Sequence, residues 1–152
     1  MTIDQLKNAI KKQTLAPLYL VLGQETALIE EVRQLFKQSL SAEETTMNFA
    51  SYDLALTEVA VALDDAGSAP FFGDRRVVFL QNPYFLTGEK PKNKLDHDLT
   101  SLLNYFETPQ PTTTMVVFAP YAKLDERKKL VKQLKKNATL IDVQKVKEQQ
   151  AQ

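Results

Sequence analysis

Apolar residues in this chain alternate between two patterns. Short continuous runs, Leu18 to Leu22 (LYLVL), Arg76 to Leu80 (RVVFL) and Met115 to Ala119 (MVVFA), are too brief for helices and read as strands buried on both faces. Met47 to Tyr52 (MNFASY) and Thr139 to Val143 (TLIDV) complete a set of five. Between them, apolar positions recur at three and four, which predicts helices. Ile3, Leu6 and Ile10 mark the first, which ends before Pro17. Leu28, Ile29, Val32, Leu35, Phe36 and Leu40 mark a long one from Glu25, and Leu56, Val59, Ala60 and Leu63 one reaching to about Ala66. Leu95, Leu99, Leu102, Leu103 and Phe106 mark a fourth, stopped by Pro109 and Pro111, and Asp125 to Lys136 is a basic fifth. The stretch Asn82 to Asn93, with Pro83, Gly88 and Pro91 and three lysines nearby, reads as a surface loop.

Strands separated by helices imply right-handed crossovers. The predicted fold is therefore α/β, a five-stranded parallel sheet with helices on both faces. Ligands of such sheets bind beyond the carboxyl ends of the strands, so the loop after the first strand is the first place to look. It begins at Gly23. A phosphate-binding loop would then need Gly at 28, Lys at 29 and Ser or Thr at 30, but the chain has Leu28, Ile29 and Glu30. Close backbone approach, the cation for the terminal phosphates and the magnesium-binding hydroxyl are all lost, and Glu25 and Glu30 add repulsion. This degenerate nucleotide loop argues for a scaffold without nucleotide hydrolysis and with no cofactor.

The 152 residues suit one domain, and 43% hydrophobic with 25% charged residues is ordinary for a globular chain. Nineteen basic and nineteen acidic side chains cancel, so no overall field draws the molecule to nucleic acid or an anionic membrane. The distribution is uneven, because residues 111 to 152 hold nine basic side chains against four acidic. The absence of cysteine excludes disulfides and thiolate chemistry and fits a reducing cytoplasm. No signal-peptide pattern opens the chain, and no apolar run has membrane-spanning length, so no membrane partner is expected. His97 is the only histidine. Asp96, His97 and Asp98 would point apart on a helix, which favours a solvated helix start over a metal site. Asp64 and Asp65 likewise diverge and make a poor catalytic pair.

Two segments stand above this background. Pro70-Phe71-Phe72-Gly73 places two large aromatics in a junction rather than in a periodic element, as either a buried connection or an exposed hydrophobic contact. In the last helix, Leu130, Val131 and Leu134 face the sheet while lysines fill the rest. Arg127, Lys128, Lys132 and Lys135 could line a DNA or phosphate contact, although such a face is usually only solvated.

Taken in order, PLYLVLGQETALIEE, SAPFFGDRRVVFLQNP, LLNYFETPQPTTTMVVFAP and KLDERKKLVKQLKKNA resemble the N-terminal domain of the delta subunit of bacterial DNA polymerase III, from about Leu6 to Val143. The LDERKK segment and the lysine-rich loop at 88 to 94 resemble the Gram-positive type. The resemblance implies a P-loop NTPase or AAA+-like domain over 1–143 without a working nucleotide site, non-catalytic by itself within the polymerase holoenzyme of the cytoplasmic replisome. It implies that the domain binds the ring-shaped sliding clamp and helps to open it for loading onto DNA. Members present a hydrophobic pair to the clamp's peptide pocket, and the matching positions are Phe71 and Phe72, flanked by Pro70 and Gly73, where others carry Leu then Phe. Residues 144–152 are expected to start a linker toward lid and collar domains that engage the other loader subunits. Other readings are a degenerate P-loop NTPase scaffold and a weak DNA-binding module resting on the helix from Asp125.

Overall fold

The computed structural model describes residues 1–41, 47–70, 75–88 and 95–144. Five strands, β1 (Leu18–Leu22), β2 (Phe49–Asp53), β3 (Arg76–Gln81), β4 (Thr113–Ala119) and β5 (Thr139–Asp142), form one sheet in the order β2-β3-β4-β1-β5. All four pairings are parallel, with Leu20 opposite Val117 and Leu140 and Val78 opposite Ala50 and Met115. Among the described residues, five helices, α1 (Ile3–Lys11), α2 (Thr26–Gln38), α3 (Val59–Ala66), α4 (Leu99–Glu107) and α5 (Lys129–Asn137), cover it.

Alternate residues of each central strand enter opposite cores, which is why β1 and β4 are buried throughout. Leu18, Leu20, Val78, Leu80, Met115 and Val117 pack with Val59, Ala62, Leu102, Phe106, Val131 and Leu134 of α3, α4 and α5. Tyr19, Val21, Phe79, Val116, Phe118 and Ile141 pack with Leu6 of α1 and Ile29, Val32 and Phe36 of α2. Phe79 is the aromatic hub of this second core, with edge contacts to Phe49 and Phe118 at 4.9 Å and to Phe36 at 6.4 Å.

Several boundaries differ from the sequence expectation. β4 begins at Thr113 rather than Met115, because the hydroxyls of two buried threonines are satisfied: Thr113 Oγ1 donates to Ala66 O at 2.7 Å and Thr114 Oγ1 to Ala16 O at 3.1 Å. α5 begins only at Lys129. The preceding turn is held by the Asp125 carboxylate, which accepts from the Arg127 backbone N–H at 3.1 Å, and Leu124 is buried beneath it. Part of the expected loop after β3 is core instead: Tyr84–Leu86 forms a 3₁₀ turn that buries Phe85 and Leu86. α4 starts at Leu99, where Asp98 caps it by accepting from the Ser101 N–H at 3.0 Å, while His97 lies outside the helix.

Candidate functional site

The carboxyl edge of the sheet holds the degenerate loop. Gly23 follows β1 at φ +143° and is buried. A Cβ there would lie 2.4 Å from the Val143 carbonyl carbon, so glycine is required by the close approach of the chain leaving β5. Two loop amides are already engaged, Gly23 N donating to Ala119 O at 3.2 Å and Glu25 N to Val143 O at 3.1 Å. These are amide groups that a phosphate cradle would need to point at its ligand. Ile29, where a phosphate-binding lysine would stand, is buried against the core, and Leu28 packs beside it. Glu30 is exposed; hydrogen bonds from Gln34 and Arg33 lower its carboxyl pKa below the ordinary value.

The sequence pattern gives no signal at the end of β3, two strands away from β1 in the sheet. β3 finishes in Gln81, followed by Asn82, two neutral amides. Gln81 is spent on packing: its Oε1 accepts from Arg33 Nη2 at 2.7 Å and its Nε2 donates to Ser51 Oγ at 2.7 Å. His97 is also structural. Its Nδ1 accepts from the Val59 N–H at 3.0 Å, so Nε2 carries the hydrogen and donates to Leu54 O at 2.9 Å. The ring caps α3 and packs on Phe85 at 5.0 Å. No cluster of three or more potential metal ligands occurs among the described residues.

At the amino edge the chain leaves α3 toward the aromatic pair. Phe71, Phe72 and Gly73 lie outside the described residues, and Pro70 is half-buried. The flanks are well defined. Arg76, at the start of β3, donates through Nη1 to Asp65 Oδ1 at 2.7 Å and through Nη2 to Ala69 O at 3.3 Å. The other Asp65 oxygen accepts from the Tyr52 hydroxyl at 2.6 Å. Burial first, and then this bond to a carboxylate, push the Tyr52 phenol up to about 12. Asp64 is exposed and takes no part through its carboxylate in this network, so the two adjacent acids do diverge.

Three of the four cations considered for a DNA or phosphate contact have partners within the chain. Arg127 forms a bidentate pair with Asp125 at 3.0 and 3.1 Å, holding that carboxyl down at about 2. Lys128 donates to Phe85 O at 2.8 Å and Thr87 O at 2.7 Å, which ties the turn before α5 to the 3₁₀ turn. Lys135 pairs with Glu126, and Lys132 is exposed on α5.

A family model described as DNA polymerase III, delta subunit, matches residues 19–144. The chain belongs to the DNA polymerase III delta subunit family. It is 43% identical over 143 residues to the DNA polymerase III subunit delta of Bacillus subtilis, covering 93% of this chain and 41% of that protein. The solved structure of the Bacillus subtilis DNA clamp loader delta protein superposes with a TM-score of 0.89 at 40% identity, over 94% of this chain and 42% of the other. Both agree with the Gram-positive resemblance. A DNA polymerase III gamma subunit-related protein from Thermotoga maritima shares the fold, with a TM-score of 0.58 at 13% identity over 96% of this chain and 46% of that one. The delta-family chain thus spans less than half the length of its relatives. Its architecture is that of the clamp-loader and AAA+-like domains.

Proposed function

We propose that this domain is the clamp-binding part of a clamp-loader delta subunit: it docks on the DNA sliding clamp and helps to open the ring for loading, without hydrolysing nucleotide itself. Membership of the delta family carries the reading. The occupied amides of the Gly23 loop and the buried Ile29 support a binding rather than a hydrolytic role. Phe71 and Phe72, flanked by Pro70 and Gly73, are the proposed clamp-contacting pair. Pro70 offers no N–H, and Gly73 tolerates positive φ. The other loader subunits and DNA are reached through the rest of the full-length protein.

The test is a surface-plasmon titration of this chain against the cognate sliding clamp. An aromatic anchor in a desolvated pocket contributes at least about 2 kcal/mol, so Phe71→Ala with Phe72→Ala should weaken binding by well over tenfold while the melt stays cooperative. Unchanged affinity in the folded double variant removes the pair from the interface. Calorimetry with magnesium and millimolar ATP should show no saturable site, and a one-site isotherm would restore the nucleotide reading. Duplex-DNA binding should be weak, because the cations nominated for it are largely paired within the chain.

A further inference from the structure

We propose that Arg76 is a positioning residue for the clamp contact, its guanidinium tying the backbone that enters the Phe71-Phe72 segment to the helix before it and the strand after it. This rests on the clamp-binding reading of that pair. The Arg76 and Asp65 side chains are only 11% and 18% exposed, and their 2.7 Å bond joins the start of β3 to the last turn of α3. The second Nη reaches the carbonyl of Ala69, one residue before Pro70. Proline also restricts the residue preceding it to extended conformations, so Ala69 is fixed from two sides. Beyond the segment, Arg75 Nη1 donates to Thr114 Oγ1 at 2.7 Å, and that hydroxyl donates to Ala16 O at 3.1 Å. The flanks on either side of residues 71–74 are thereby bound to α3, β4 and the chain entering β1.

Stability alone is a poor reason for this arrangement. A buried ion pair loses much of its Coulomb gain to desolvation, and apolar side chains of similar volume often serve as well. The Arg76 Nε is buried with no hydrogen-bond partner among the described residues, a further cost. The planar fork can hold a carboxylate and a carbonyl together in fixed geometry, which a lysine ammonium on a flexible stem cannot reproduce. Flanks fixed in the free protein reduce the ordering that binding would otherwise require.

Arg76→Lys keeps a cation for Asp65 and loosens the hold on Ala69. Measured at a temperature where its melt shows it folded, this variant should bind the cognate sliding clamp about fivefold more weakly than the parent. Placed in the Phe71→Ala, Phe72→Ala background, the same substitution should change the residual affinity by less than about twofold, because a positioning residue acts only through the rings it positions. Tyr52→Phe, which leaves both Nη contacts in place, should lower the melting temperature without changing affinity. If Arg76→Lys does not fold, Asp65→Asn keeps a neutral acceptor for Arg76 and should give a smaller loss of the same sign. Parental affinity in whichever of Arg76→Lys and Asp65→Asn folds overturns the proposal. So does a full fivefold loss that persists without the two rings. Failure of the aromatic-pair reading is seen separately, as unchanged clamp affinity in the Phe71→Ala, Phe72→Ala variant alone.

Discussion

The two edges of the parallel sheet have been put to different uses. At the carboxyl edge, where this class of fold ordinarily receives ligands, polar groups turn inward: Gly23 and Glu25 amides to Ala119 and Val143, Arg33 to Gln81, and His97 to Leu54 and Val59. At the amino edge, Arg75, Arg76, Thr113 and Thr114 fasten the chain on either side of an aromatic pair. One edge is closed by its own hydrogen bonds, and the other is braced around a short segment. On the proposed reading, the binding role belongs to the braced edge and not to the edge where such sheets ordinarily receive ligands.

The largest expected effect breaks the closed edge. Gly23→Ala adds a Cβ at a positive φ and within 2.4 to 2.6 Å of the Val143 and Gln144 backbone, so at least about 3 kcal/mol of stability should be lost in urea titration. The amino edge lies at the opposite ends of the strands, and clamp affinity of the remaining folded molecules should be unchanged. A parental urea midpoint would show that the approach of β5 to the loop is not obligatory.

His97→Ala tests the same edge more gently. It removes an acceptor for the Val59 N–H and a donor to Leu54 O, and backbone groups of two buried residues lose their partner, at a cost of about 2 kcal/mol. Adding zinc to the parent should not shift its melting temperature, because both imidazole nitrogens are committed within the fold.

The smallest effect sharpens the other edge. Tyr52→Phe deletes the bond to Asp65 and should cost about 1 kcal/mol near neutral pH. A phenol whose folded pKa is raised to about 12 contributes stability that is present below its ordinary pKa near 10 and is lost as pH climbs toward 12. Parent and variant should therefore converge across that alkaline window. Parallel stability curves from pH 9 to 12 would contradict the burial and Asp65 contact assigned to Tyr52.

Much of the architecture was legible, for a physical reason. Strands covered on both faces leave long apolar runs, and Leu18 to Leu22 was bounded correctly from that alone. Leu130, Val131 and Leu134 were placed correctly by periodicity. Errors arose where polar side chains act as structure. Thr113 and Thr114 extend β4, but hydroxyl residues do not read as core until their acceptors on Ala66 and Ala16 are known. The acidic start at Asp125 looks like a helix terminus, whereas its carboxylate holds a separate turn. Ile29, read as standing where a phosphate-binding lysine would be, is buried in the core. The engagement of the loop amides and the bracing by Arg76 depend on partners distant in the chain, Val143, Asp65 and Ala69, which no local pattern reveals.

The contact between Gly23 and Val143 makes a phosphate site hard to build at this loop. Writing Gly, Lys and Thr at positions 28 to 30 would restore the missing letters but not the ligand. The lysine would replace the buried Ile29, with its charge facing a hydrocarbon core, and the Gly23 and Glu25 amides would still be held by Ala119 and Val143. A cradle there would require β5 to retreat first, a displacement that weakens the core before any nucleotide could compensate. The obstacle to a nucleotide site thus works as a ratchet, with its pawl in the packing rather than in the motif.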